Sequence, residues 1–281
     1  MPTPRSTTPA ALTLCAFLVG CTPDPPTAPP EVPPASSTPV SVVESPGETP
    51  PAEPLLMQEL QRIADEAANT YGGAASVAIS NGEHTLSSVE AAPYVAWSTS
   101  KVPIAVAALR LDPGLAPIAE AAITISDNVA AESLWAAVTP AQVEAVLAEA
   151  GTPIAMNTVV ARPGFTAFGQ TPFSTAEQAR FAAGLPCVAG ASDVLAMMGR
   201  ISPDQSYGLG TMPGAQFKGG WGPDPAGSYV IRQLGLVDGR GVALTVAPAD
   251  GHYATGQQMA NQIAGQLGQV LQQIPKAACT N

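Results

Sequence analysis

A serine and a lysine stand three residues apart at the start of an apolar segment, residues 97–109, that reads WSTSKVPIAVAAL. The segment favours a helix, and because residues three apart share a helix face, the Ser98 hydroxyl and the Lys101 amine can come within hydrogen-bond reach. A lysine desolvated among apolar side chains has a lowered pKa and helps to remove the proton of a serine nucleophile. The pair predicts an activated serine, although the same spacing also arises by chance at a solvated helix start.

Two further motifs follow along the chain. Ser126-Asp127-Asn128 precedes a predicted helix at 129–137, and Lys218-Gly219-Gly220 ends a predicted strand at 215–220. Taken alone, the first motif is typical of a helix cap and the second of a surface lysine before a turn. The glycines would let a substrate backbone approach the strand edge closely.

The pattern of elements predicts an α+β fold. Helical periodicity places helices at 55–70, 129–137, 140–150, 175–184 and 253–272. Extended segments place strands at 74–80, 84–89, 215–220, 228–237 and 241–247, with Asn81-Gly82 and Asp238-Gly239 as hairpin turns. This order predicts an antiparallel sheet of about five strands flanked by N- and C-terminal helices, with an all-helical subdomain at about 99–198 inserted between the second and third strands.

With these three motifs in this order and on these elements, residues 55–275 resemble the serine β-lactamases and penicillin-binding proteins, whose motifs are Ser-x-x-Lys, Ser-Asp-Asn and Lys-Thr-Gly. The resemblance is strongest to class A β-lactamases, in particular to alanine-rich lipoproteins related to them. It implies a β-lactamase-like domain over 55–281 with a serine that accepts an acyl group.

The resemblance also implies roles for single residues. The catalytic set is Ser98 as nucleophile, Lys101 as its proton partner, Ser126 as relay toward the leaving group, and Lys218 as a source of positive potential for a substrate carboxylate. The substrate-binding set is Asn128 for the substrate amide together with Gly219, Gly220, Trp221 and Arg232. The backbone N–H groups of Ser98 and Trp221 would form the oxyanion hole, whose donors contribute about 3 to 4 kcal/mol each in acyl transfer.

The chain departs from the class A pattern at the residue that hydrolyses the acyl-enzyme. Class A enzymes use a glutamate on a loop between the second and third motifs, but no Asp or Glu occurs between Glu149 and Glu177. Glu177 itself matches a capping box with Ser174, which favours a structural role. Without that base, an acyl-enzyme is expected to be long-lived.

Substrate binding also departs from the pattern. Gly219 replaces a hydroxyl residue, which removes a hydrogen bond to a substrate carboxylate worth about 1 to 3 kcal/mol. Bulky Trp221 stands beside the oxyanion position, where it obstructs substrate. Arg232 on the next strand offers a clamp for a carboxylate, with a solvated strand charge as the alternative.

The N-terminal region predicts export and lipid anchoring. Residues 1–20 carry Arg5 and then an apolar run too short to span a bilayer, as in a signal peptide. The run ends in Leu18-Val19-Gly20-Cys21, which resembles the lipobox of bacterial lipoproteins, so Cys21 is the expected site of acylation, palmitate included. Twelve prolines in 22–54 predict a disordered tether over 21–54. We expect the protein on the outer face of the bacterial cell membrane, in the cell envelope.

Composition narrows the remaining possibilities. A net charge of −11 leaves no cationic surface for nucleic acid. Cys187 and Cys279 form an even pair in an oxidising compartment and predict a disulfide. His84 and His252 lie far from every motif, so a serine-histidine triad is not expected. No cofactor or metal is expected, and the chain is expected to be a monomer.

Two functions follow from these observations. The first is a serine acyltransferase or hydrolase of the cell envelope that acts on a peptidoglycan-like peptide or a small amide or ester. The second is a catalytically silent homologue that binds a cell-wall peptide or a protein partner in the same cleft. A competent β-lactamase is the least supported.

Overall fold

A computed structural model describes residues 52–92 and 94–279. The predicted signal peptide, the predicted lipidation site Cys21 and residues 22–51 of the predicted tether lie outside this range. Within it, no helix is long and apolar enough to cross a membrane.

Five antiparallel strands form one sheet in the order β2-β1-β5-β4-β3. They are β1 (Gly73–Ser80), β2 (Thr85–Ser87), β3 (Gln216–Pro223), β4 (Tyr229–Val237) and β5 (Arg240–Pro248). Residues 238 and 239 join β4 to β5 with φ values of 45° and 74°, the left-handed backbone that a tight hairpin turn requires. The α+β sheet of five strands predicted from the sequence is confirmed.

Two long terminal helices cover one face of the sheet. Helix α1 (Ala52–Tyr71) and helix α8 (Tyr253–Gln272) bury a stripe that includes Leu60 and Ile263 against the strands. Helix α1 begins three residues before the predicted start and includes Pro54, which the first turn of a helix tolerates because its missing N–H has no partner there.

The helical insert lies between β2 and β3, as predicted. It contains α2 (Lys101–Leu111), α3 (Ala116–Thr124), α4 (Asn128–Ala137), α5 (Pro140–Glu149), α6 (Thr175–Gly184) and α7 (Ser192–Met198). Helix α6 packs directly on the sheet, where a Cβ atom on Gly241 would lie 2.0 Å from the carbonyl oxygen of Ala179. The predicted capping box is present at its start: Ser174 N–H donates to Glu177 and Glu177 N–H donates to the Ser174 hydroxyl.

The predicted disulfide between Cys187 and Cys279 is present, with 5.3 Å between the two Cα atoms. It ties the segment after α6 to the C-terminal tail across 92 residues of chain. A covalent link across so long a loop restricts the unfolded chain and thereby stabilises the domain.

Candidate active site

Ser98 lies in a 3₁₀ turn, Trp97–Ser100, that leads directly into α2. The hydroxyls of Thr99 and Ser100 are buried and donate to the carbonyl oxygens of Ala96 and Trp97, both at 2.7 Å. Ser98 is partly exposed and lines a cleft, and within the described residues its hydroxyl makes no hydrogen bond. Trp97 has a φ of 52°, a left-handed conformation that costs free energy in a bulky residue and that turns the chain into the helix here. The turn therefore leaves one of its three hydroxyls available at the cleft.

Lys101 is 1% exposed and holds the second motif in place. Its Nζ donates to the carbonyl oxygen of Ser126 at 2.6 Å and to Oδ1 of Asn128 at 2.8 Å, and it lies 3.3 Å from the Ser126 Oγ. Burial lowers the Lys101 pKa to about 8, against the opposing charges of Asp127 and Glu132. The structure contains no hydrogen bond between Lys101 and Ser98, because the ammonium is turned toward the stronger acceptors of the second motif.

The second motif occupies the turn between α3 and α4. Ser126 has a φ of 59°, again left-handed for a residue with a side chain. Asp127 caps α4 by accepting from Ala130 N–H at 2.7 Å. The predicted helix cap and the predicted site role are therefore both compatible with this turn, since Asp127 caps the helix while Ser126 and Asn128 contact Lys101.

Lys218 on β3 is fully buried, so the interpretation of this residue as a surface lysine is wrong. Its Nζ donates to the Ser126 Oγ and to the carbonyl oxygen of Gly219, both at 2.8 Å. Burial, and then the charge of Lys101, lower the Lys218 pKa well below its usual value. The Ser126 hydroxyl thus receives hydrogen bonds from two lysines whose ammonium forms are both destabilised.

Two glycines allow β3 to lie against the turn that carries Ser98. A Cβ atom on Gly220 would lie 2.8 Å from the Ser98 nitrogen, and one on Gly222 would lie 2.5 Å from the Trp97 ring. Strand β3 is an edge of the sheet, so part of its backbone has no neighbouring strand on that side. The backbones of Ser98 and Trp221, predicted to form the oxyanion hole, belong to these two adjoining segments.

Arg232 does not reach the cleft. It lies opposite Gly220 in the β3–β4 register, but its guanidinium donates to Oγ1 of Thr245 at 3.0 Å and to the carbonyl oxygen of Tyr94 at 2.9 Å. The side chain is fully buried. Arg232 is therefore neither the predicted carboxylate clamp nor the solvated strand charge considered as its alternative.

The side chain of Trp221 fills space at the end of the cleft, whereas Gly219 leaves space there that a side chain could occupy. Trp221 lines the cleft while its ring packs against Tyr253 at a centroid distance of 5.5 Å. A Cβ atom on Gly219 would meet only ordinary contacts, 3.7 Å to the Trp221 ring. Glycine at 219 is therefore not required by space, and the missing hydroxyl is a feature of the site.

The cleft encloses about 530 Å³ and combines the motif residues with side chains that the sequence analysis did not single out. Ser98, Lys101, Asn128 and Trp221 line it, and Ser126 and Lys218 lie directly beneath through the hydrogen bonds above. Among the residues missed are Glu132, Phe165, Phe168 and Tyr229. Only Glu132 had a sequence signal, because it follows Asn128 by four residues and so shares its helix face.

The histidines take no part in this arrangement. Both His84 and His252 are exposed, as expected for surface residues, and neither lines the cleft. Within residues 52–92 and 94–279, no group of three or more His, Cys, Asp or Glu side chains is placed to hold a metal ion.

Comparisons with known proteins agree with this fold. No protein-family model and no curated protein sequence matches the chain. Among solved structures, a β-lactamase from Chitinophaga pinensis aligns with a TM-score of 0.62 at 16% identity and covers 76% of this chain and 99% of its own. The chromosome-encoded β-lactamase of Vibrio parahaemolyticus aligns with a TM-score of 0.59 at 14% identity and covers 76% of this chain and 100% of its own. An ancestral class A β-lactamase aligns with a TM-score of 0.56 at 18% identity and covers 75% of this chain and 99% of its own. The chain has the fold of the serine β-lactamases and penicillin-binding proteins.

Proposed function

We propose that this protein is a serine acyl-transfer enzyme of the cell envelope in which Ser98 accepts the acyl group of an amide or ester. One observation carries the proposal: the Ser126 hydroxyl lies between the Nζ atoms of Lys218 and Lys101, at 2.8 and 3.3 Å, beside a cleft into which Ser98 opens. Buried lysines with lowered pKa values are the groups that a serine without histidine needs in order to lose its proton.

Acylation would proceed in two proton transfers. Neutral Lys101 takes the proton of Ser98 while the Ser98 oxygen attacks the carbonyl carbon, and the N–H groups of Ser98 and Trp221 stabilise the tetrahedral oxyanion. The proton then passes from Lys101 through the Ser126 hydroxyl to the leaving nitrogen or oxygen, and the bond to the leaving group breaks. Because Lys101 makes no hydrogen bond to Ser98 in the structure, it must give up one of its present acceptors once it is deprotonated.

The proposed acyl-enzyme is long-lived, so the protein is not a competent β-lactamase. Glu177 is engaged in the capping box of α6 and does not line the cleft. Glu132 is the acidic side chain among the cleft-lining residues, but it is exposed at the rim, where water screens its carboxylate. A glutamate so placed is a poorer general base than one desolvated inside the site.

The second candidate is a catalytically silent homologue that binds a cell-wall peptide or partner in the same cleft. The observation in its favour is the absence of a hydrogen bond between Ser98 and Lys101, together with the missing side chain at Gly219. A silent homologue would keep the cleft but not a reactive serine.

Pre-steady-state hydrolysis of p-nitrophenyl acetate separates the two candidates, because its small acyl group makes few demands on the cleft. We expect a burst of one p-nitrophenol per protein followed by slow turnover. The burst should vanish in Ser98→Ala and persist in the matched control Ser133→Ala, which removes an exposed hydroxyl on α4. No burst in the wild type favours the silent homologue. If Glu132→Gln abolishes the slow phase, Glu132 is the missing base and the long-lived acyl-enzyme is wrong.

We also propose that lipid on Cys21 anchors the domain to the outer face of the bacterial cell membrane. The support is the lipobox-like sequence and the proline-rich segment that follows it. Labelling of expressing bacteria with an alkyne analogue of palmitate should mark the full chain and not Cys21→Ser, and the variant should leave the membrane fraction. Equal labelling of both proteins would contradict the anchor.

A further inference from the structure

We infer that the cleft selects acyl donors that carry an uncharged aromatic group and discriminates against donors with a carboxylate beside the scissile bond. This inference rests on the proposed acyl transfer at Ser98 and names its substrate class.

Aromatic side chains form part of the walls of the cleft, beside its polar groups. Five line it: Trp97, Phe165, Phe168, Trp221 and Tyr229. They come from the turn before α2, the loop before α6, and strands β3 and β4. Phe165 packs edge to face on Trp97 at 5.2 Å, which fixes both rings. Preformed aromatic walls favour a flat apolar ligand through burial and ring stacking.

The basic groups near the cleft are all engaged. Lys101 is the one cation among the lining residues, and its Nζ already has oxygen acceptors at 2.6 and 2.8 Å. Lys218 does not line the cleft and is fully buried. Its Nζ donates to the Ser126 Oγ and to the carbonyl oxygen of Gly219. A ligand carboxylate would therefore find no free ammonium in the described part of the cleft.

Two arginines, Arg232 and Arg162, are also unavailable to bind a ligand carboxylate. Arg232 donates to Oγ1 of Thr245 and to the carbonyl oxygen of Tyr94, and its unpaired nitrogen, Nη2, is fully buried. Arg162 donates to the carbonyl oxygens of Pro223 and Asp224 at 2.6 and 3.1 Å, with its guanidinium 4.7 Å from the centre of the Phe165 ring. It thus braces the aromatic wall instead of presenting its charge to the cleft.

A negative charge stands at the rim. Glu132 lines the cleft one helical turn beyond Asn128, and its carboxylate is close enough to raise the Lys101 pKa. Because water screens the Glu132 carboxylate at the rim, it adds only a weak repulsion against a ligand carboxylate. The net charge of the whole chain, −11, acts in the same direction.

The end of the cleft where β3 meets β4 is closed by rings. Trp221 and Tyr229 both pack on Tyr253, at centroid distances of 5.5 and 5.9 Å. Tyr229 therefore contributes a neutral aromatic surface, and Gly219 contributes no hydroxyl. A peptidoglycan-like donor fits this cleft only if its terminal carboxylate is blocked or lies away from the scissile bond.

A matched pair of esters tests the inference. Phenyl phenylacetylglycinate is compared with its meta-carboxyphenyl analogue. The rate of acylation by each ester is divided by the rate at which hydroxide hydrolyses the same ester, which removes differences in intrinsic reactivity. We expect the neutral ester to acylate Ser98 at least about tenfold faster, the penalty typical of an unpaired carboxylate at a binding site. Equal rates, or a faster carboxylated ester, overturn the inference and leave acyl transfer intact. Acylation by neither ester overturns both proposals.

Two gain-of-function variants sharpen the test. Tyr229→Arg places a cation on the cleft wall, and Gly219→Thr restores a hydroxyl where the backbone leaves room for it. Each should shift the rate ratio toward the carboxylated ester, by about tenfold for the arginine. Asn69→Arg, which places an arginine on the exposed face of α1 outside the cleft, should leave the ratio unchanged. A ratio unmoved in both variants contradicts the inference.

Discussion

Two buried polar clusters, one around a lysine of β3 and one around an arginine of β4, differ in what surrounds them. The cleft cluster consists of Lys101, Ser126 and Lys218; the sheet cluster consists of Arg232, Thr245, Thr175 and Glu90. Each contains a fully buried cation, Lys218 on β3 and Arg232 on β4. The cleft cluster borders a cavity beside Ser98, whereas the sheet cluster is closed by α6 and the segment before Ser98.

The clusters also differ in how their charges are compensated. In the cleft cluster, two lysines share one serine hydroxyl, and the charge of Lys101 destabilises the charged form of Lys218 in addition to the cost of burial. In the sheet cluster, burial lowers the Arg232 pKa to about 10, and the nearby charges of Glu90 and Glu177 oppose that shift. The Thr175 hydroxyl lies 2.7 Å from Oγ1 of Thr245 and 2.8 Å from Oε1 of Glu90, and so joins these two residues. The cleft cluster therefore supports catalysis at a cost in stability, whereas the sheet cluster stabilises the fold.

Removal of Lys101 tests the chemical side of this contrast and should have the largest effect. We expect Lys101→Met to slow acylation by about 10³-fold, the scale of a lost general base. The melting temperature should stay the same or rise, because a buried cation is replaced by an apolar side chain of similar length. Burst kinetics and thermal unfolding measure the two effects, with exposed Lys276→Met as control. Acylation within tenfold of the wild type would refute the assigned role.

Removal of Arg232 tests the structural side. Arg232→Met should lower the free energy of unfolding by about 1 to 3 kcal/mol, because it leaves the carbonyl oxygens of Tyr94 and Val95 without their donor. The acylation rate of the folded fraction should fall less than tenfold, since Arg232 does not line the cleft. Urea denaturation checks the stability, with exposed Arg200→Met as control. An unchanged stability with lost acylation would reverse the roles of the clusters.

The pH dependence of acylation gives the smallest and most specific effect. Only neutral Lys101 accepts a proton, so the rate should rise with pH through an apparent pKa of about 8. The Glu132 charge favours protonated Lys101, so Glu132→Gln should lower that pKa and move the profile to lower pH. Glu83→Gln, exposed on the β1–β2 turn, should leave the profile in place. A profile that falls across pH 7 to 9, or one that Glu132→Gln moves upward, would contradict the assignment.

The sequence predicted the elements well because the signals for them are local. Asp238-Gly239, the capping box at Ser174 and the amphipathic terminal helices each depend on neighbouring residues, and all are present. Arg232 was misplaced because β4 is covered on both faces and is buried along nearly its whole length. Such a strand lacks the polar and apolar alternation that would show which side chains face the cleft.

The wall of the cleft was not predictable in the same way. Phe165 and Phe168 come from the irregular loop before α6, and their approach to Trp97 and Ser98 depends on the packing of segments far apart in the chain. Glu132 was not predicted because it lies on α4, outside the loop on which the class A pattern has its acidic residue. Side-chain convergence of this kind requires the tertiary structure.

The central claim is that Ser98 is a reactive nucleophile, and the most direct measurement is covalent labelling with an uncharged fluorophosphonate, followed by intact-mass analysis and peptide mapping. We predict a single adduct, located on Ser98, absent in Ser98→Ala and formed far more slowly in Lys101→Met. An unlabelled wild-type protein, or an adduct that persists in Ser98→Ala, would contradict the account.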